Sequence, residues 1–145
     1  GMALTSCTVP AAGRPTFDLP DGEIEMGAGI HGEPGRERMA MRPTREVVDM
    51  LFEAVTDDRP YKGGEEAIVM LSGPGGTPLM VLYICYARVA ELAKKKGIGI
   101  ARCLVGNYIT SLEMQGFSLT MLKADDKIVR LWDAPVHTSA LRWGI

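Results

Sequence analysis

His31, one of only two histidines in the chain, lies in the segment Gly27-Ala28-Gly29-Ile30-His31-Gly32-Glu33-Pro34-Gly35. Glycines on both sides of a polar side chain remove Cβ bulk and permit positive φ, so backbone or ligand can approach closely. Such a setting offers the imidazole to a small molecule. The competing reading is a glycine-rich hairpin in which the histidine is incidental. Glu33, two residues on, can orient the imidazole or sit solvated in the loop. Glu113 and Asp125 are further carboxylates for general-base work, but no spacing pairs them. His137 falls in a polar, proline-containing tail and reads as a surface residue.

With two histidines and no cysteine cluster, no bound metal is expected. The loop Ser72-Gly73-Pro74-Gly75-Gly76-Thr77 follows an apolar run and precedes a helix, where α/β folds offer free backbone N–H groups to anions. It lacks the Lys-Ser/Thr ending of a P-loop, and a tight strand–helix connection is the stronger reading.

The chain has 145 residues, the size of one domain, and residues 1–145 are read as such. Gly1 ahead of Met2 reads as a remnant of tag removal with no expected part in the fold. A 46% hydrophobic and 23% charged composition is that of a soluble globular protein. A net charge of −2 leaves no footprint for nucleic acid or an acidic membrane surface. Lys94-Lys95-Lys96 falls where a helix should end and complements its dipole. Cys7, Cys85 and Cys103 are odd in number and widely spaced, which fits a reducing, cytoplasmic compartment and small apolar fillers. No secretory signal and no membrane span are expected.

Residues 2–22 are broken by prolines and glycines into loops. Glu23-Ile24-Glu25-Met26 alternates as a strand. Val47, Val48, Leu51, Phe52 and Val55 predict a helix over 43–57, opened by Pro43 or by Thr44 as N-cap. Ile68-Val69-Met70-Leu71 predicts a strand covered on both faces. A helix then runs from Thr77 as N-cap to Lys96, with Gly97 as its stop. Its core stripe is read as Leu79, Leu82, Tyr83, Tyr86, Ala90 and Ala93. Met80, Val81, Ile84 and Cys85 make its first half apolar on the other side too, as deep burial or packing against a missing domain or dimer mate would require. Strands follow over 99–106 and 116–123, and Asp125-Asp126 caps a last helix packing Ile128, Leu131 and Trp132. The fold class is α/β, a two-layer sandwich of a mixed β-sheet with helices mainly on one face.

Longer motifs carry a family resemblance. Ser6-Cys7-Thr8-Val9-Pro10, Pro15-Thr16-Phe17, Glu25-Met26-Gly27, Gly29-Ile30-His31-Gly32-Glu33-Pro34-Gly35, Gly75-Gly76-Thr77-Pro78-Leu79, Leu104 to Leu112, Gly116-Phe117-Ser118-Leu119-Thr120 and Asp133-Ala134-Pro135 occur in that order. The chain resembles the C-terminal domain of the dihydroxyacetone-binding subunit of dihydroxyacetone (glycerone) kinases. The resemblance implies that His31 attacks the ketone carbon of dihydroxyacetone and holds it as a covalent hemiaminal, with Gly29, Gly32 and Glu33 as further substrate contacts. It implies no cofactor on this chain. Phosphoryl transfer would come from a partner subunit using ATP or a phosphotransferase-system donor with magnesium. The resemblance reaches only the second domain of that family's binding subunit, so a first domain is expected to be wanting here, and Ser72-Gly73-Pro74 stands where the family usually has Asn-Gly-x. The expected assembly is a homodimer completed by the missing first kinase domain and a nucleotide-binding kinase subunit, inactive alone. The alternative is a non-catalytic dihydroxyacetone-sensing or regulatory module; a remnant of a longer protein is the third reading.

Overall fold

A computed structural model describes residues 1–30 and 33–144; His31 and Gly32, two of the expected site residues, lie outside the described residues. Six strands form a mixed sheet in the order β3-β2-β1-β6-β4-β5. They are β1 (Met2–Ala3), β2 (Glu23–Met26), β3 (Glu37–Ala40), β4 (Glu66–Ser72), β5 (Gly99–Gly106) and β6 (Gly116–Ala124). Only β4 and β5 run parallel; β6 joins β4 to β1 antiparallel to both. The helices are α1 (Thr44–Asp58), α2 (Leu79–Lys95) and α3 (Asp126–Trp132), and a hairpin of β7 (Val136–His137) and β8 (Arg142–Trp143) ends the described chain.

The core lies between the sheet and α1 with α2. Alternation in β4 and β6 sends Val69, Leu71, Phe117 and Leu119 to this side, where Phe52, Leu82 and Val89 meet them. Phe52 is fully buried; truncating such a side chain costs about 3–5 kcal/mol. Across the top of the helices, Arg88 grips Asp49 with two hydrogen bonds of 2.6 and 2.8 Å, tying α2 to α1. Arg102 on β5 reaches Asp133, just past α3, from the other face of the sheet. The two-layer expectation therefore holds, with helices mainly on one face.

Several local expectations are corrected. α2 begins at Leu79 behind Pro78, and Thr77 does not cap it. Instead the buried Thr77 hydroxyl donates to the Gly116 carbonyl (2.6 Å) and accepts from its N–H (2.8 Å). The core stripe of α2 is Leu82, Cys85, Val89 and Ala93, whereas Leu79 and Tyr83 are exposed. Gly97 does stop the helix, at φ +70°. Asp125 caps α3 through the Ile128 N–H, but α3 buries none of its residues: Leu131 is exposed and Trp132 stacks on Trp143. Gly1, set aside as a remnant, accepts a hydrogen bond from Gly27 N–H at 2.7 Å and packs beside Phe117.

A cavity beneath the glycine-rich loop

The glycine-rich segment is the connection of a β-hairpin. Met26 pairs with Glu37 on either side of it, and the described residues between them, 27–30 and 33–36, belong to no strand. Gly27 turns the chain at φ +83°, a conformation that disfavours other residues, and Arg36 packs where its Cβ would be. Gly35 lies against Glu25 and donates to its carboxylate at 2.7 Å, while Arg38 pairs with the same carboxylate at 3.2 Å. At the tip, the Glu33 carboxylate sits against the open face of Gly29, and Gly29 N–H reaches the Glu33 carbonyl at 3.4 Å. Gly27, Gly29 and Gly35 are thus consumed by close approach within the loop.

Beneath this loop is a cavity of about 560 Å³. One wall is the loop itself: Ala28, Gly29, Ile30, Glu33 and Pro34. The opposite wall carries hydroxyls and a thiol from segments far apart in sequence: Thr16, Cys7, Ser72, Thr110, Ser111 and Ser118. Phe17, Met114 and Phe117 supply apolar surface. A pocket of this size, mostly apolar with a few convergent polar groups, suits a small organic ligand.

The hydroxyl wall is assembled by hydrogen bonds between loops. Ser72, at the end of β4 and buried, accepts from Tyr108 N–H (3.2 Å) and Ile109 N–H (3.0 Å), holding the β5–β6 loop that carries Thr110 and Ser111. Ser111 donates to the Cys7 thiol at 3.3 Å, and Thr16 lies 3.5 Å from the same sulfur. Leu4 N–H meets Gln115 carbonyl at 2.8 Å, and Thr8 N–H meets Glu113 carboxylate at 2.7 Å. Gly75 and Gly76 let the 72–78 loop pack directly on the backbone at Leu112 and Glu113.

This placement sorts the candidate residues. Gly29 and Glu33 line the cavity. Glu113 does not; it staples the N-terminal segment, and its own backbone N–H together with the Thr8 hydroxyl and N–H hold its carboxyl below the ordinary glutamate range. Asp125 is a helix cap, and His137 is an exposed residue of the β7–β8 hairpin. In the 72–77 loop, Gly73 N–H bonds Gly106 carbonyl and Gly76 N–H bonds Met114 carbonyl, so those groups serve the connection between elements. Cys103 is exposed on β5, against the expectation of a buried filler. Cys7, Thr16 and Ser111 carry no local signal of chemistry, although the motifs Ser6-Cys7-Thr8-Val9-Pro10, Pro15-Thr16-Phe17 and Leu104 to Leu112 contain all three. A wider hollow of about 660 Å³ lies at the opposite end of β4, but its Arg102 and Asp133 satisfy one another.

Comparison with known proteins agrees with this architecture. The family model described as Dak1 domain matches residues 1–140. The chain is 41% identical to the dihydroxyacetone-binding subunit DhaK of the PEP-dependent dihydroxyacetone kinase of Escherichia coli, over 99% of the chain and 47% of that relative. It is 44% identical to the corresponding subunit of a PTS-dependent kinase from Listeria innocua, over 95% of the chain and 42% of the relative. The chain thus spans about half the length of these relatives. Among solved structures, a dihydroxyacetone kinase operon co-activator, Dha-DhaQ, superposes with TM-score 0.85 at 29% identity, covering 92% of this chain and 42% of that one. Taken with the fold, these matches show that the chain belongs to the Dak1 domain family.

Proposed function

We propose that this chain holds dihydroxyacetone for phosphorylation, through a covalent hemiaminal at His31. The observation that carries the reading is that Ile30 and Glu33, the described residues flanking the histidine, both line the cavity. Only a neutral imidazole with a free lone pair adds to a carbonyl. A C–N bond forms to the ketone carbon, the carbonyl electron pair moves to oxygen and takes up a proton, and the other ring nitrogen gives one up. No water leaves. Glycerol offers no carbonyl and cannot be trapped, so selection does not rest on hydrogen bonds alone.

Gly29, Gly32 and Glu33 are read as substrate contacts, and the hydroxyl wall as the surface that meets the two terminal hydroxyls. The phosphoryl group then passes to one of those hydroxyls from a partner subunit carrying the donor, ATP with magnesium or a phosphotransferase-system relay. The partner and a first kinase domain complete the site, and the cytoplasm is its compartment. Isothermal titration tests the reading: dihydroxyacetone binds, glycerol does not, and His31→Ala abolishes binding. Binding that survives in His31→Ala contradicts it.

A second reading has its own support. Dha-DhaQ, named as an operon co-activator, shares this fold closely. In that reading the same ketone trap serves a sensor that signals to a regulatory partner. Phosphoryl transfer to dihydroxyacetone when a nucleotide-binding kinase subunit is added favours the kinase; co-purification with a transcriptional regulator favours the sensor.

A further inference from the structure

We propose that Glu25 is a positioning residue for the ketone trap: its carboxylate fixes the returning end of the segment that carries His31, by reach and not by charge. The inference rests on the ketone reading above and adds a residue to it.

β2 alternates, and Ile24 and Met26 enter the core. Glu25 must therefore project from the opposite face. Solvent is the usual place for such a glutamate, yet its side chain is only 16% exposed and lines the cavity. A carboxylate withdrawn from water needs partners, and Glu25 has two. One oxygen accepts from Gly35 N–H at 2.7 Å. The other meets Arg38, its directly opposite neighbour on β3, at 3.2 Å.

These two partners are unequal. Arg38 is 43% exposed, and an ion pair so open to water contributes little. Its guanidinium turns to solvent without orphaning a buried group. Gly35 is held closer: a Cβ at this position would run into the Glu25 side chain and the Met26 carbonyl. Beside it, Arg36 N–H bonds the Met26 carbonyl at 2.7 Å. The return of the chain to β3 is thus pressed onto β2, and the Glu25 carboxylate holds it there. On the outgoing side, Gly27 turns at φ +83°. Between these fixed ends lie Glu33 and Pro34, both on the cavity wall.

His31 stands four residues before Gly35 in the chain. Addition to a carbonyl needs the nitrogen aligned on the ketone carbon, and a misplacement of about 1 Å costs roughly a hundredfold. A carboxylate that sets this segment against the sheet therefore sets how well the ketone is trapped. The described charged side chains that line the cavity are Glu25, Glu33 and Arg38. Glu33 rides on the segment itself and Arg38 pairs with Glu25. Glu25 is the one whose strand lies in the core and whose oxygen reaches the segment.

Two conservative variants of the full chain separate reach from charge. Glu25→Gln keeps the length and an oxygen for Gly35 N–H but loses the charge. Glu25→Asp keeps the charge and ends one methylene short of Gly35. Native mass spectrometry follows the dihydroxyacetone adduct against ketone concentration, and amide exchange is followed at Gly35 and in α1. Glu25→Gln is expected to trap the ketone within about threefold of wild type, and Glu25→Asp about tenfold or more weaker. Exchange at Gly35 rises in Glu25→Asp alone, with α1 unchanged in both. Glu25→Asp equal to wild type overturns the role. Glu25→Gln weaker than Glu25→Asp also overturns it, by assigning the effect to charge. A loss that tracks faster exchange in α1 does the same, by assigning it to folding. Each of these leaves the ketone reading standing, whereas a wild type that forms no adduct overturns that reading and this role with it.

Discussion

The Glu33 carboxylate fills the space that any side chain at Gly29 would need, so one contact closes the loop that bears His31. A methyl group at Gly29 must push aside the end of a flexible side chain, which is cheap for folding. Gly29→Ala is therefore expected to cost under about 1 kcal/mol of stability yet weaken dihydroxyacetone binding about tenfold or more, because Glu33 and the loop tip move together. Parallel thermal melts and titrations check this; equal losses in both would assign Gly29 to folding alone.

Thr77 is buried, and its hydroxyl satisfies both the N–H and the carbonyl of Gly116. Thr77→Val keeps the shape and orphans two backbone groups, at a cost of about 2–4 kcal/mol. Thr77→Ser should recover most of it. Urea denaturation of the three proteins measures the difference.

Ser72 holds the cavity wall by accepting from Tyr108 and Ile109. In Ser72→Ala those N–H groups lose their acceptor, and hydrogen exchange at both positions is expected to accelerate about tenfold or more, the equivalent of about 1.4 kcal/mol of local opening. Exchange within α1 should stay unchanged, which separates local loosening from global destabilisation.

The Arg88 guanidinium, through its hydrogen bonds and charge, holds the Asp49 carboxyl below the ordinary aspartate range. A depressed carboxyl contributes stability that is present above its unfolded value, near 3.8, and is lost as pH falls through its folded value. Arg88→Met removes that contribution at every pH. The gap in stability between wild type and variant should be widest above about pH 4 and narrow below it. Acid titration of the unfolding free energy follows this, and a gap independent of pH would assign the arginine a packing role only.

The parts of this fold that declare themselves in sequence are those with local periodicity. The apolar spacing of α1, the alternation of β6 and the Gly97 stop were all readable. The strand β3 was not, because Glu37-Arg38-Met39-Ala40 is an exposed edge with no apolar alternation. In α2, apolar residues cover both faces, so spacing could not say that Leu79 and Tyr83 face outward. Thr77 has the local setting of a cap, and nothing in its neighbourhood betrays a partner 39 residues away. The site follows the same rule. His31, Gly29 and Glu33 share one motif, whereas Cys7, Thr16 and Ser111 converge on the cavity only through contacts between distant loops.

The central claim is a covalent bond between His31 and a three-carbon ketone. Native mass spectrometry of the chain with dihydroxyacetone tests it most directly. The account predicts an adduct of the full mass of the ketone, with no water lost, located at His31 by fragmentation and absent in His31→Ala. No adduct, an adduct that persists in His31→Ala, or one that has lost water as an imine at an amine would contradict it.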